Sequence, residues 1–105
     1  MLEITTATQS GWCVVKPTGR ADAVTAQSLE DALQTAANEH AKIALDLSAL
    51  TYISSAGLRS LLQGARAAQA KNAEYVVCSP TPGVLKVLEM SGMQNILRIV
   101  KGMPC

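Results

Sequence analysis

The chain has 105 residues, of which 49% are hydrophobic and 16% charged, and its formal net charge is +1. This length is sufficient for one domain with a packed core, and the apolar content argues against intrinsic disorder. Lysines and arginines are scattered rather than clustered. The charge therefore excludes a broad binding surface for nucleic acid or for an anionic membrane.

The chain shows no feature typical of a secreted or membrane-spanning protein. It contains no run of about 18 apolar residues, and its start, MLEITTATQSG, lacks the basic and apolar regions of a secretion signal. The cysteines, Cys13, Cys78 and Cys105, are widely spaced with no C-x-x-C pair, which favours reduced thiols over disulfides or a zinc site. We expect one cytoplasmic domain spanning residues 1–105, with Cys13 and Cys78 in its core.

Strand and helix patterns alternate along most of the chain. Apolar runs of strand length lie at residues 2–6, 12–17, 42–47, 74–78 and 95–100. Apolar residues at helical spacing lie at residues 24–37, where Val24 joins the apolar face, at 58–69 and at 84–88. Asp22 or Thr25 could cap the first helix and Thr81 the third, which Gly92 would close. This order predicts an α/β fold with a mixed sheet that starts with an antiparallel hairpin.

The stretch TYISSAGLRSLL, residues 51–62, joins a strand to a helix at the sheet edge where α/β proteins hold ligands. Ser55 is placed to cap the helix whose apolar face begins at Leu58, which alone would explain a serine. A second interpretation is phosphorylation. The positive end of the helix dipole would tolerate a phosphate on Ser55, and about −1.5 to −2 charges there could repel a partner. Small Ala56 and Gly57 leave the hydroxyl accessible.

Other polar residues give no catalytic site. Asp46 lacks the further acids and the lysine of a magnesium-dependent receiver site, so we interpret it as capping a loop. His40 is the only histidine, and a strand of about 15–20 Å separates it from the edge that carries Ser55. A serine nucleophile would therefore lack its base. The chain also has no phosphate-binding glycine motif, and we predict no enzyme activity, no metal and no cofactor.

Three stretches carry a resemblance to a known family. Residues 44–62, ALDLSALTYISSAGLRSLL, resemble the signature of the STAS domain, in particular that of bacterial anti-sigma factor antagonists. Residues 16–33, KPTGRADAVTAQSLEDAL, and 76–93, VVCSPTPGVLKVLEMSGM, are similar to the same family in the same order. The resemblance implies a STAS-like fold, with a mixed four- to five-stranded sheet and helices packed mainly on one face.

The resemblance also implies a mechanism of partner switching. The unphosphorylated protein would bind a GHKL-type serine kinase that is also an anti-sigma factor, and thereby release the sigma factor. The kinase would then phosphorylate Ser55, and a metal-dependent Ser/Thr phosphatase would remove the phosphate. Nucleic acid and membranes are not expected partners.

The implied partner surface surrounds Ser55. It comprises Asp22 in the loop before the first helix, and Ser54, Ala56, Gly57 and Leu58 next to Ser55. Arg59, on the polar face of the helix after Ser55, also belongs to it. An exposed apolar patch around Leu58 could serve a partner or a dimer. Ser54 stands where family members often carry aspartate, which makes it the second choice for the acceptor. The alternative function is a STAS subunit of a transporter or sensory scaffold that is never phosphorylated, and a small ligand-binding domain has little support.

Overall fold

The computed structural model describes residues 2–102, so Cys105 lies outside the described residues. Within this range the predicted α/β architecture is confirmed. A single domain spanning residues 1–105 stays a prediction. The strands and helices follow in the order β1 (Leu2–Gln9), β2 (Trp12–Ala21), α1 (Ala26–Glu39), β3 (Lys42–Asp46), β4 (Leu50–Ile53), α2 (Ser55–Ala70), β5 (Glu74–Cys78), α3 (Pro82–Met90) and β6 (Ile99–Val100).

The first two strands form the predicted antiparallel hairpin. Gln9 pairs with Trp12, so only Ser10 and Gly11 remain in the turn. Both have positive φ, 51° and 85°. This backbone matches a two-residue turn whose twist suits the flanking strands, and glycine adopts it without steric cost.

The sheet has six strands rather than the four to five expected, because the apolar segment after α1 contains two strands. Strand β3 ends at Asp46, and a turn closed by a hydrogen bond from Leu50 N to Leu47 O leads into β4. Long β2 accommodates both, since its first half pairs in parallel with β3 and its second half with β4. Strands β5 and β6 follow β3 on the same side in parallel, and a 3-10 turn at Met93–Asn95 replaces the predicted start of the last strand.

Helices α1, α2 and α3, the three α-helices of the described residues, pack on one face of this sheet, as expected. Their buried faces contribute Leu29 and Leu33 from α1, Leu61 from α2 and Leu88 from α3. The strands contribute alternate residues to the same cluster: Cys13, Val15, Ile43, Leu45 and Val77. The period of two along β2, β3 and β5 therefore directs one set of side chains toward the helices.

A second, smaller cluster occupies the opposite face of the sheet. It contains Trp12, Val14, Ala44, Val76 and Cys78, the residues that alternate with those of the main core. Both Cys13 and Cys78 are buried, which confirms their prediction as core residues, and they lie on opposite faces of the sheet.

Among the helices at residues 2–102, none has the length and apolarity that a bilayer crossing requires.

The ends of α3 follow the sequence prediction in position but not in every contact. Thr81 is the N-cap residue, yet its hydroxyl donates to Leu50 O at 3.0 Å instead of capping the helix. Gly92 has φ of 77° directly after the C-cap residue Ser91, as predicted. Thr81 therefore connects α3 to β4 rather than closing its own first turn.

Candidate functional site

The loops after β2 and β4 meet at one edge of the sheet. Ala21 and Ile53 end these strands and pair in parallel, and Ser54 N donates a hydrogen bond of 2.8 Å to Ala21 O. Asp22 and Ser54, the residues that follow, are consequently brought side by side. The structure thus brings together the two loops to which the family resemblance assigns the expected partner surface.

Ser54, and not Ser55, caps α2. The Ser54 hydroxyl accepts a hydrogen bond of 3.3 Å from Gly57 N, and its backbone is extended, as at an N-cap position. The expectation that Ser55 is the cap is wrong by one residue. The backbone bond from Ser54 N to Ala21 O fixes Ser54 as the last residue of extended chain, so the helix begins at Ser55.

Ser55 occupies the first helical position and is exposed to solvent. Its hydroxyl makes no hydrogen bond with any other residue of the part of the chain that the structure describes. The positive end of the α2 dipole lies at this position, which favours an added negative charge. Ser55 is therefore the more accessible of the two serine hydroxyls, while the Ser54 hydroxyl is engaged in the cap.

Asp22 holds the turn that precedes α1. Its Oδ1 accepts hydrogen bonds from Val24 N at 3.0 Å and from Thr25 N at 3.2 Å. Burial opposes ionisation, but the hydrogen bonds from Thr25 and Val24 outweigh it and hold the pKa of Asp22 below its ordinary value. The carboxylate is thus ionised and bound to its own turn. Thr25 is the N-cap residue by position, but its side chain makes no cap hydrogen bond.

Gly57 lies where the first turn of α2 packs directly against the ends of β2 and β4. A Cβ added there would stand 2.8 Å from Ala21 O and 2.8 Å from Ile53 Cγ1, closer than real contacts allow. Gly57 and Leu58 are both buried, and only 8% of Leu58 is exposed. The expected exposed apolar patch around Leu58 is therefore wrong, because the first turn of α2 directs this side chain into the core.

Exposed apolar groups near Ser55 come instead from the two neighbouring segments. Val24 is 89% exposed and Tyr52 is 41% exposed. The guanidinium of Arg20 lies 4.2 Å from the centroid of the Tyr52 ring, a cation–π contact. Val24 was predicted on the apolar face of the first helix, but α1 begins only at Ala26, after the turn that Asp22 holds.

A groove separates the first turns of α1 and α2, with a cavity volume of about 640 Å³. Ser55, Ala56 and Arg59 line it from α2, and Gln27 and Glu30 line it from α1. Arg59 is exposed one helical turn after Ser55. Ser55 and the polar face carrying Arg59 therefore line the same groove.

Ser60 is a site residue that the sequence analysis missed. It is 1% exposed, and its hydroxyl donates to Ala26 O at 2.7 Å, at the first residue of α1. This bond fixes the start of α1 against α2 and so fixes the two walls of the groove. A serine between the apolar residues of a helix was the available signal, but its partner is 34 residues away in sequence.

The remaining candidate residues have structural roles. Asp46 Oδ1 accepts from Ser48 N at 3.0 Å, which confirms the interpretation as a loop cap. His40 is the C-cap residue of α1, between the helix and β3 as predicted. Within residues 2–102 no group of three or more acidic, histidine or cysteine side chains could hold a metal ion.

Comparisons with known proteins agree with this architecture. The model of a family described as the STAS domain matches residues 3–102. BtrV of Bordetella bronchiseptica, provisionally named an anti-sigma factor antagonist, is 41% identical over 58 residues. The match covers 55% of this chain and 50% of BtrV, so it spans half the length of that relative.

Solved structures of anti-sigma factor antagonists have the same fold. One from Mycobacterium paratuberculosis superposes with a TM-score of 0.86 at 24% identity, covering 95% of this chain and 86% of the other. SpoIIAA in its unphosphorylated form gives 0.78 at 18% identity, covering 99% and 90%. The phosphorylated form of the Bacillus SpoIIAA gives 0.73 at 17% identity, covering 99% and 93%. At these identities the likeness establishes the fold, and function has to be argued from the site.

Proposed function

Because the chain belongs to the STAS domain family, we propose that it is an anti-sigma factor antagonist that acts by partner switching. The unphosphorylated form binds a GHKL-type serine kinase that is also an anti-sigma factor. That kinase transfers the terminal phosphoryl group of ATP to the Ser55 oxygen, ADP is the leaving group, and the serine proton passes to a base of the kinase. The complex then dissociates. A metal-dependent Ser/Thr phosphatase then hydrolyses the phosphate. In this proposal the protein is a substrate, not an enzyme, needs no cofactor and acts in the cytoplasm.

The observation that carries this proposal is the contrast between adjacent serines. The Ser54 hydroxyl is bound in the helix cap, whereas Ser55 is exposed and makes no hydrogen bond with a described residue. Phosphorylation of Ser54 would break the cap, which typically contributes about 1 kcal/mol. Phosphorylation of Ser55 requires no contact to break, and this supports Ser55 as the acceptor.

A phosphate on Ser55 would change the surface without changing the fold. The contacts that fix the loop, Ser54 with Gly57 and Ser60 with Ala26, do not involve the Ser55 side chain. The added charge of about −1.5 to −2 would stand at the rim of the groove between α1 and α2. A partner seated over this groove would then have to desolvate a dianion, and its release follows.

The proposed partner surface consists of exposed and partly buried residues around this groove. Asp22, Ser54, Ala56 and Arg59 belong to it, and exposed Val24 contributes an apolar anchor that the sequence did not indicate. Buried Gly57 and Leu58 were also assigned to this surface. In the proposal they act by holding the first turn of α2 in position, since they offer little area to a partner.

Phosphorylation is tested by intact-mass analysis after incubation with host lysate, ATP and magnesium. Wild type should gain one phosphate, Ser55→Ala none, and Ser54→Ala one, with peptide mapping to assign the site. A control antagonist in the same lysate establishes that the kinase is active. If that control is modified and this chain is not, the switch is refuted, and the unphosphorylated scaffold or transporter subunit becomes the better hypothesis.

Binding is tested by using the unphosphorylated protein to capture the kinase. Ser55→Asp and Arg59→Glu should each weaken binding at least about tenfold, equivalent to about 1.4 kcal/mol. Lys86→Glu, an exposed charge reversal on α3 outside the groove, is the matched control and should bind as wild type does. Equal binding by Arg59→Glu would remove Arg59 from the interface, and equal binding by Ser55→Asp would contradict release by charge.

A further inference from the structure

A second groove lies at the opposite end of α2. It has a cavity volume of about 650 Å³ and is formed by the last turns of α2, the start of β5 and the segment before β6. Leu62 and Arg66 line it from α2, and Ile96 and Arg98 line it from the other wall. Its volume is within the range of small-ligand sites, about 300–1,000 Å³.

The charged residues of this groove have one sign. Among the described residues, Arg66 and Arg98 are the only charged ones that line it, and both are exposed. Neither guanidinium forms an ion pair or hydrogen bond with another residue in the range 2–102. Two arginines on facing walls, with no acid between them, are complementary to carboxylates, which guanidinium groups bind in paired hydrogen bonds.

The remaining lining combines an exposed apolar anchor with a rigid floor. Ile96 is 61% exposed, while Leu97 beside it is only 3% exposed and belongs to the core. The Tyr75 hydroxyl donates to Leu61 O at 3.1 Å, and burial raises the pKa of this phenol above its ordinary value. The Tyr75 hydroxyl is therefore already bound, and the groove offers apolar area flanked by two cations.

From this arrangement we infer that the groove binds a short acidic segment of a partner protein, with one aliphatic side chain against Ile96 and carboxylates at Arg66 and Arg98. A nucleic acid or a membrane is a poorer match, because the net charge of the chain is only +1 and the groove carries two cations. The occupant is thus a peptide segment of alternating acidic and aliphatic residues.

This groove is independent of the proposed switch. Ser55 and Arg66 are 11 positions apart on α2, which corresponds to about 16 Å along the helix. The Debye length at physiological ionic strength is about 8 Å, so a phosphate on Ser55 would be largely screened at this distance. A partner held here would stay bound through cycles of phosphorylation, and the inference stands whether or not Ser55 is modified.

The test is an NMR titration of the full chain with a capped pentapeptide, Glu-Leu-Glu-Leu-Glu. Backbone amides of Leu62, Gln69, Ile96 and Arg98 should shift saturably with a dissociation constant of about 1 mM, while Ser55 should not shift. A peptide with lysine in place of glutamate should leave these amides unchanged. Arg98→Glu should weaken binding about fivefold or more, and Lys86→Glu on α3 is the matched charge reversal that should have no effect.

A gain of binding excludes loss of folding as the explanation. The double variant Arg66→Glu, Arg98→Glu should bind the lysine peptide and no longer the glutamate peptide. The inference is overturned if the glutamate peptide gives no saturable shift at these amides up to about ten times the expected dissociation constant. It is equally overturned if the lysine peptide shifts them as strongly in the wild-type protein.

Discussion

Two loops at the same edge of the sheet begin alike and end differently. Each follows a strand of the pair that ends at Ala21 and Ile53, and each starts with a side chain that accepts backbone N–H groups, Asp22 and Ser54. After Ser54 the helix begins at once and Gly57 presses against Ala21. After Asp22 a turn intervenes and leaves Val24 almost fully exposed.

The difference shows that a side chain can be exposed to solvent while the backbone that carries it is held rigidly. In the α2 junction the backbone is fixed by contacts at Ser54, Gly57 and Ser60, so the Ser55 hydroxyl is presented from a rigid support without being bound itself. In the α1 junction the Asp22 carboxylate is engaged within the turn, and what is presented is an apolar side chain. In the proposed function, the two junctions would offer a partner one hydroxyl and one hydrophobic anchor.

The largest effect is expected from Gly57→Ala, which would disrupt the close packing between the first turn of α2 and the sheet. The new methyl group would stand 2.8 Å from Ala21 O, which is backbone and cannot move aside. Overpacking of this kind costs about 1–3 kcal/mol, and each kcal/mol corresponds to about 4–8 °C in Tm for a domain of this size. Thermal and denaturant unfolding would measure the loss.

Gly83→Ala is the matched control for that experiment. Gly83 lies in the first turn of α3, and a Cβ there would meet nothing within 4 Å. Replacing a helical glycine by alanine in open space should raise the free energy of unfolding by up to about 1 kcal/mol. Equal stabilisation by Gly57→Ala and Gly83→Ala would show that α2 does not need its close approach to the sheet.

A middle-sized effect should separate the two serines. Ser54→Ala removes the cap acceptor for Gly57 N and should lower the free energy of unfolding by about 1 kcal/mol. Ser55→Ala removes a hydroxyl that binds no described residue and should change it by less than about 0.5 kcal/mol. Urea unfolding of both variants measures the difference. A larger loss in the free energy of unfolding for Ser55→Ala than for Ser54→Ala would show that Ser55 is the cap.

Sequence patterns predicted the helices and most strands because their apolar periods are set locally. The strand-length apolar runs did not include β4, although the stretch from residue 51 was interpreted as joining a strand to a helix. Leu50–Ile53 is short, and its buried residues stand at its ends rather than alternating. The start of α2 was misplaced by one residue because a hydrogen bond to Ala21, on another strand, decides it. For the same reason Ser60 could not be assigned, as the carbonyl it binds is placed by tertiary packing.

The smallest effect concerns the turn that Asp22 holds before α1, and it depends on pH. Because backbone hydrogen bonds lower the pKa of Asp22 in the folded protein, its ionised form stabilises the fold above the pKa of the unfolded chain, about 3.9. This contribution is lost as the pH falls through the lower folded value. Asp22→Asn keeps an oxygen acceptor but not the charge, so wild type should exceed it in stability near neutral pH and converge with it in acid. Urea unfolding from pH 7 to pH 2, with an NMR titration of the Asp22 carboxyl, would measure this difference. A carboxyl pKa above about 3.9 would contradict the stabilisation of the ionised Asp22 by its turn.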